Sequence, residues 1–125
     1  KNMRNQNCET IEAMMQKIKI QTGENEARSD KVIRSMADEM ADSILEDADE
    51  NAARQFFYIF SQMEEWTKKG MLDLALEMVY VILRLFNYGE ETEMIAVITN
   101  TVERQKMFVE AFIQCGKEIC RSYME

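Results

Sequence analysis

Histidine and proline are absent from this chain, and glycine occurs only at Gly23, Gly70, Gly89 and Gly116. Without histidine there is no Ser-His-Asp or Cys-His arrangement, no ordinary general base near neutral pH, and no His-built zinc, haem or di-iron centre. A Gly-rich phosphate loop and a CxxC pair are missing as well. Carboxylates abound, but no spacing singles out two of them for acid–base work. No catalytic residue, metal ligand set or cofactor is therefore assigned, and the expectation is a protein that is not an enzyme. The shortage of turn-formers bears on the fold. An all-β or α/β chain of 125 residues needs more proline and glycine than this, so the sequence predicts one all-α domain spanning residues 1–125.

Basic residues are outnumbered by acidic ones, 15 to 23, for a net charge of −8. Residues 1–37 carry seven bases and five acids, residues 38–65 one and nine, and residues 66–125 seven and nine, so the excess is concentrated in the middle segment. Nucleic-acid binding draws its affinity from Lys and Arg set against phosphates, and this balance argues against it. Three cysteines, Cys8, Cys115 and Cys120, are an odd number at spacings that suggest no disulfide framework. With no N-x-S/T sequon and no signal peptide in view, the expected setting is reducing, intracellular and cytoplasmic.

Apolar residues recur at helical spacing almost throughout. Cys8, Ile11, Met15 and Ile18, with Met14 beside them, predict a helix from about residue 5 to Thr22, stopped by Gly23. Ile33, Met36, Ala37, Met40, Ile44 and Leu45 predict a second, from Glu24 or Ser29 to Glu46. Asp47 and Glu50 form a loosened capping box for a third helix carrying Ala52, Ala53, Phe56, Phe57, Ile59, Phe60, Met63 and Trp66. That helix runs into Lys68, Lys69 and Gly70, two cations for the end of the dipole and a left-handed cap. After Gly89 the apolar spacing continues to Tyr123, and Asn100 with Glu103 divides it into a short helix at 91–99 and a longer one at 100–124.

Between Gly70 and Gly89 lies MLDLALEMVYVILRLFNYG, in which fourteen of nineteen residues are apolar or aromatic. Nineteen helical residues reach about 28 Å, close to the thickness of a bilayer core, so length alone does not decide between a membrane span and a bundle helix. The polar residues decide it. Asp73, Glu77, Arg84 and Asn87, with Tyr80 between them, fall on one narrow stripe. A membrane span has no need of such a stripe, whereas a bundle helix covered elsewhere leaves one to water. The expected architecture is thus a bundle of five to six helices with residues 71–88 at its centre and no membrane span.

Three features invite functional readings. The run Asp47-Ala48-Asp49-Glu50-Asn51 copies the first ligands of an EF-hand loop, but Ala52 replaces the required glycine and Tyr58 the closing bidentate Glu, so a helix junction explains it better. Residues 38–50 hold seven acids and no base. Asp38, Asp42 and Glu46 stack at four-residue steps with Glu39 and Asp49 flanking, a repulsive arrangement that reads either as a solvated face or as a docking surface for a basic protein partner. The eleven methionines divide between core fillers (Met14, Met15, Met36, Met40, Met63, Met78, Met94) and candidates for an exposed apolar patch (Met3, Met71, Met107, Met124). Phe57, Tyr58, Met71, Tyr80 and Met107 are the candidate apolar interface, for a homo-oligomer or for a partner. The sequence thus points first to a non-enzymatic protein–protein interaction module of the adaptor, inhibitor or antidote kind. Self-association and carriage of an apolar small ligand among the methionines and aromatics are the alternatives.

Overall fold

The chain reverses where residues able to make the turn occur, and the computed structural model, which describes residues 26–124, shows how. Five helices follow one another: α1 Glu26–Leu45, α2 Glu50–Lys68, α3 Leu72–Leu85, α4 Gly89–Ile98 and α5 Val102–Met124. There is no strand among the described residues. The helix expected at residues 5–22, with Cys8, lies outside them.

Gly70 adopts φ 80° after α2, and the amides of Gly70 and Met71 bond back to the carbonyls of Thr67 and Trp66 at 3.1 and 2.8 Å. The same 6→1 and 5→2 pattern ends α3, with Asn87 at φ 70° and Tyr88 N–H donating to the Leu83 carbonyl at 2.8 Å. Asparagine is the side chain that best tolerates this left-handed position in place of glycine. Two caps differ from expectation by one or two residues. Asp49, not Asp47, starts α2, its Oδ1 accepting from Ala52 N–H at 2.8 Å. Alanine in that third helical position cannot return a bond, so no reciprocal box forms. Likewise Thr101, not Asn100, starts α5, its Oγ1 accepting from Arg104 N–H at 3.1 Å. The predicted division of the last stretch into a short and a long helix stands.

Side-chain pairs set the directions. Arg104 reaches Asp30 at 3.8 Å near the start of α1 and α5, and Tyr123 donates to the Glu46 carbonyl at 3.3 Å near their ends, so these two helices are parallel. Lys117 meets Glu64, and Arg121 stacks over Phe57, so α2 runs against α5. Phe56 meets Phe86 and the chain turns directly from α2 into α3, making that pair antiparallel. The path is up, down, up, down, up.

The centre is not where the hydrophobic stretch placed it. α5 packs on α1, α2 and α3, with α1 and α2 brought together chiefly through it. It buries Phe108, Val109, Phe112, Ile113, Gly116 and Cys120. α3 buries one face, Ala75, Leu76, Val79, Ile82 and Leu83, and leaves Leu74, Val81 and Leu85 exposed by 42, 41 and 74%. Length accounts for the exchange. The 23 residues of α5 reach about 35 Å, enough to line both long helices, whereas the 14 of α3 reach only about 21 Å. Among the described residues no helix is long and apolar enough to cross a membrane.

Candidate functional site

The acids of α1 divide by the face on which the helix places them. Asp38 and Asp42 stand exposed beside α5, Glu39 and Glu46 are half-buried, and Asp49 is occupied as the cap of α2. Sequence reading missed Glu118, which α5 brings to the same seam. Its approach is visible only once α1 and α5 are known to be parallel and in register. Asp38, Asp42 and Glu118 converge on Cys115, whose thiol donates to Asp42 Oδ1 at 3.4 Å and lies 3.6 Å from the Asp38 carbonyl oxygen. One carboxylate oxygen of Glu46 is buried without a hydrogen-bond partner.

Crowding of this kind has an electrostatic consequence. Asp38 is exposed overall, but partial screening of its carboxyl from water, then the charges of Asp42 and Glu118, hold it above its ordinary range, and Arg34 only partly opposes them. Burial and the same carboxylates push the Cys115 thiol far up, and burial alone raises Cys120 to about 11. Both thiols are therefore protonated near neutral pH and are poor nucleophiles. Cys120 is buried against the core rather than presented near the carboxyl terminus.

A raised carboxyl pKa in the folded state means that folding favours the protonated form. Its charged form costs stability at neutral pH, and that cost is relieved as pH falls from the folded-state value and is gone below the lower unfolded-state value. Asp38→Asn is expected to stabilise the protein at pH 7 by roughly a few tenths of a kcal/mol, the size of exposed like-charge pairs after screening. Thermal melts at pH 7 and pH 3 check this: the gain should be present at the first and absent at the second.

The opposite side of α5 carries the other sign. Lys117 donates to Glu64 at 2.8 Å, which holds the Glu64 carboxyl below its ordinary range, and Lys117 and Arg121 lie 5.4 and 5.3 Å from the centroid of the Phe57 ring. Phe57 is thus covered by cations rather than presented as bare apolar surface. Met107 lines an open groove of about 380 Å³ between α1, α2 and α5, with Arg34, Glu64 and Lys68 on its walls. Tyr58 is exposed by 66% and Met71 by 44%. Tyr80 is half-buried near Thr99 at the end of α4, and burial raises its pKa. The polar stripe of α3 is therefore solvent-facing at Asp73, Glu77, Arg84 and Asn87 but covered at Tyr80.

Of the methionines assigned to the core, Met36, Met40 and Met63 are fully buried and Met78 and Met94 half-buried. Met107 and Met124 are half-buried, and Met3, Met14 and Met15 lie outside the described residues. The candidate interface residues consequently do not form one patch: Phe57 lies under Lys117 and Arg121, Met107 lines the groove beside Glu64 and Lys68, Tyr58 stands exposed on α2, and Met71 caps the start of α3. Comparison of the chain with protein-family models, with curated proteins and with solved structures finds no match.

Proposed function

We propose that the protein is a non-enzymatic interaction module of the adaptor, inhibitor or antidote kind, which docks a basic protein partner on the acidic seam of α1 and α5. The observation that carries this reading is the convergence of Asp38 and Asp42 of α1 with Glu118 of α5 around Cys115, with no base among the three. Repulsion there costs folding stability, and a Lys or Arg side chain entering the seam would relieve it. Residues that lower stability in the free protein are characteristic of surfaces kept for binding. Glu39 and Glu46 extend the negative face along α1, and charge of one sign over such a length speeds encounter with a partner of the other. The reduced thiols Cys115 and Cys120 fit an intracellular setting.

A Lys/Arg-rich helical peptide is the probe for this site. Fluorescence anisotropy should show binding that weakens steeply with added salt, and the Asp38→Asn/Asp42→Asn/Glu118→Gln variant should lose at least about tenfold in affinity with a shallower salt slope. Equal binding by wild type and variant, with equal salt slopes, would place any basic partner elsewhere and overturn the proposal. Circular dichroism on the variant checks that the fold is kept, as expected for exposed side chains.

A further inference from the structure

α3 exposes more apolar surface than its own bundle covers, and the exposed residues are ordered. Met71, Leu74, Met78, Val81 and Leu85 follow one another at steps of three, four, three and four residues, the spacing of a helix–helix seam. Four of them are exposed by 44, 42, 41 and 74%, with Met78 half-buried between. The face that meets the core is a different one, made by Ala75, Val79, Ile82 and Leu83. α3 therefore carries two apolar faces and buries one.

Charge beside the seam selects what lies on it. Glu77 and Arg84 flank the same edge, one heptad apart, and both are exposed. We propose that α3 pairs antiparallel with α3 of a second copy of this chain, across a two-fold axis near Met78 and Val81. In that arrangement Leu74 sits opposite Leu85 of the partner subunit, and Met78 opposite Val81 of the partner subunit. Antiparallel helices bring like-lettered flanking positions together, so Glu77 faces Arg84 of the partner subunit, and the symmetry repeats the pair. A parallel pairing would set Glu77 level with Glu77 of the partner subunit and gain no ion pair. The self-complementary edge fits a second copy better than a partner of one charge sign. This dimer uses a different helix from the acidic seam and stands independently of it.

Sedimentation equilibrium of the full chain over a dilution series should show a monomer–dimer equilibrium in the micromolar range. Glu77→Arg and Arg84→Glu each convert two attractive flanking pairs into repulsive ones and should weaken the dimer by about tenfold, while the double swap should restore it to within about threefold. Val81→Glu should abolish dimerisation and leave the helical spectrum and melting temperature of the monomer unchanged, because Val81 is not part of the core. A chain that remains monomeric at its solubility limit overturns the proposal, leaving the seam to residues 1–25 or to a different protein. A double swap that fails to restore association overturns the antiparallel pairing.

Discussion

Truncating Tyr88 to alanine is expected to cost about 5 kcal/mol of unfolding free energy, the largest loss foreseen for any single side chain here. Tyr88 is the largest fully buried side chain among the described residues and is 1% exposed. Removing a buried aromatic side chain costs about 3–5 kcal/mol through lost burial and the cavity left behind. A second loss adds to it. The Tyr88 hydroxyl is hydrogen-bonded to the Ser43 hydroxyl of α1, which is 1% exposed and would be left unpaired, at a further cost of about 1–3 kcal/mol. A domain of this size is typically stable by about 5–15 kcal/mol, so the alanine variant should be marginal or unfolded.

The hydroxyl's share is separable from the ring's. Tyr88→Phe keeps the ring and orphans Ser43, and should cost about 1–2 kcal/mol. Adding Ser43→Ala removes the orphan and should recover most of that loss, the non-additivity expected of side chains in contact. Urea unfolding followed by circular dichroism measures all three. A Tyr88→Phe variant as stable as wild type would show that the hydroxyl pair contributes nothing. Tyr88 reaches Ser43 because Asn87 takes the left-handed position and turns the chain inward, so a local turn residue sets a contact across forty-five positions of sequence.

That dependence marks what could and could not be read in advance. The all-α class, the Gly70 stop and the two-part carboxyl end were legible because they rest on local chemistry: backbone freedom at glycine, hydroxyl and carboxylate caps, and three–four periodicity. The caps moved by a residue or two because Asp47 and Asp49, or Asn100 and Thr101, are all side chains able to cap, and sequence alone does not say at which of them the helix begins. The identity of the central helix was not legible. Apolar content nominated residues 71–88, but a helix can be apolar because it has two faces to cover, and α3 covers only one within its own bundle. α5 is more polar and is central because Gly116 lets α2 approach it closely while its other side is free for α1. The acidic stripe of α1 was visible as periodicity, whereas its completion by Glu118 depends on a parallel register that no local signal encodes. Tyr80 lay on the polar stripe by angle alone, and Thr99 at the end of α4 helps to cover it in part.

The crossing of α2 over α5 carries the second large prediction. Phe60 is fully buried, with ring centroids of Phe56 and Phe112 at 5.9 and 5.8 Å, and a Cβ built at Gly116 would lie 2.5 Å from its ring. Phe60→Ala should therefore cost about 4 kcal/mol. Gly116→Ala sets two effects against each other. Alanine in a helix interior gains about 1 kcal/mol over glycine, while the methyl group drives into a ring already held by two others, an overpacking cost of about 1–3 kcal/mol. The ring is fully buried and already meets two others, so the clash should win, by about 1 kcal/mol. The double variant discriminates between this account and a merely additive one. With Phe60 truncated, the added methyl enters the space the ring vacated and alanine's helix propensity is retained, so Gly116→Ala should change sign and become stabilising in the Phe60→Ala background. Equal effects of Gly116→Ala in both backgrounds would show that the ring yields freely. The same crossing bears on the acidic seam, because Gly116 lies between Cys115 and Glu118 on the helix it positions. Displacing α5 there should shift Glu118 relative to Asp38 and Asp42, so Gly116→Ala should weaken binding of the basic peptide probe without altering a single charge.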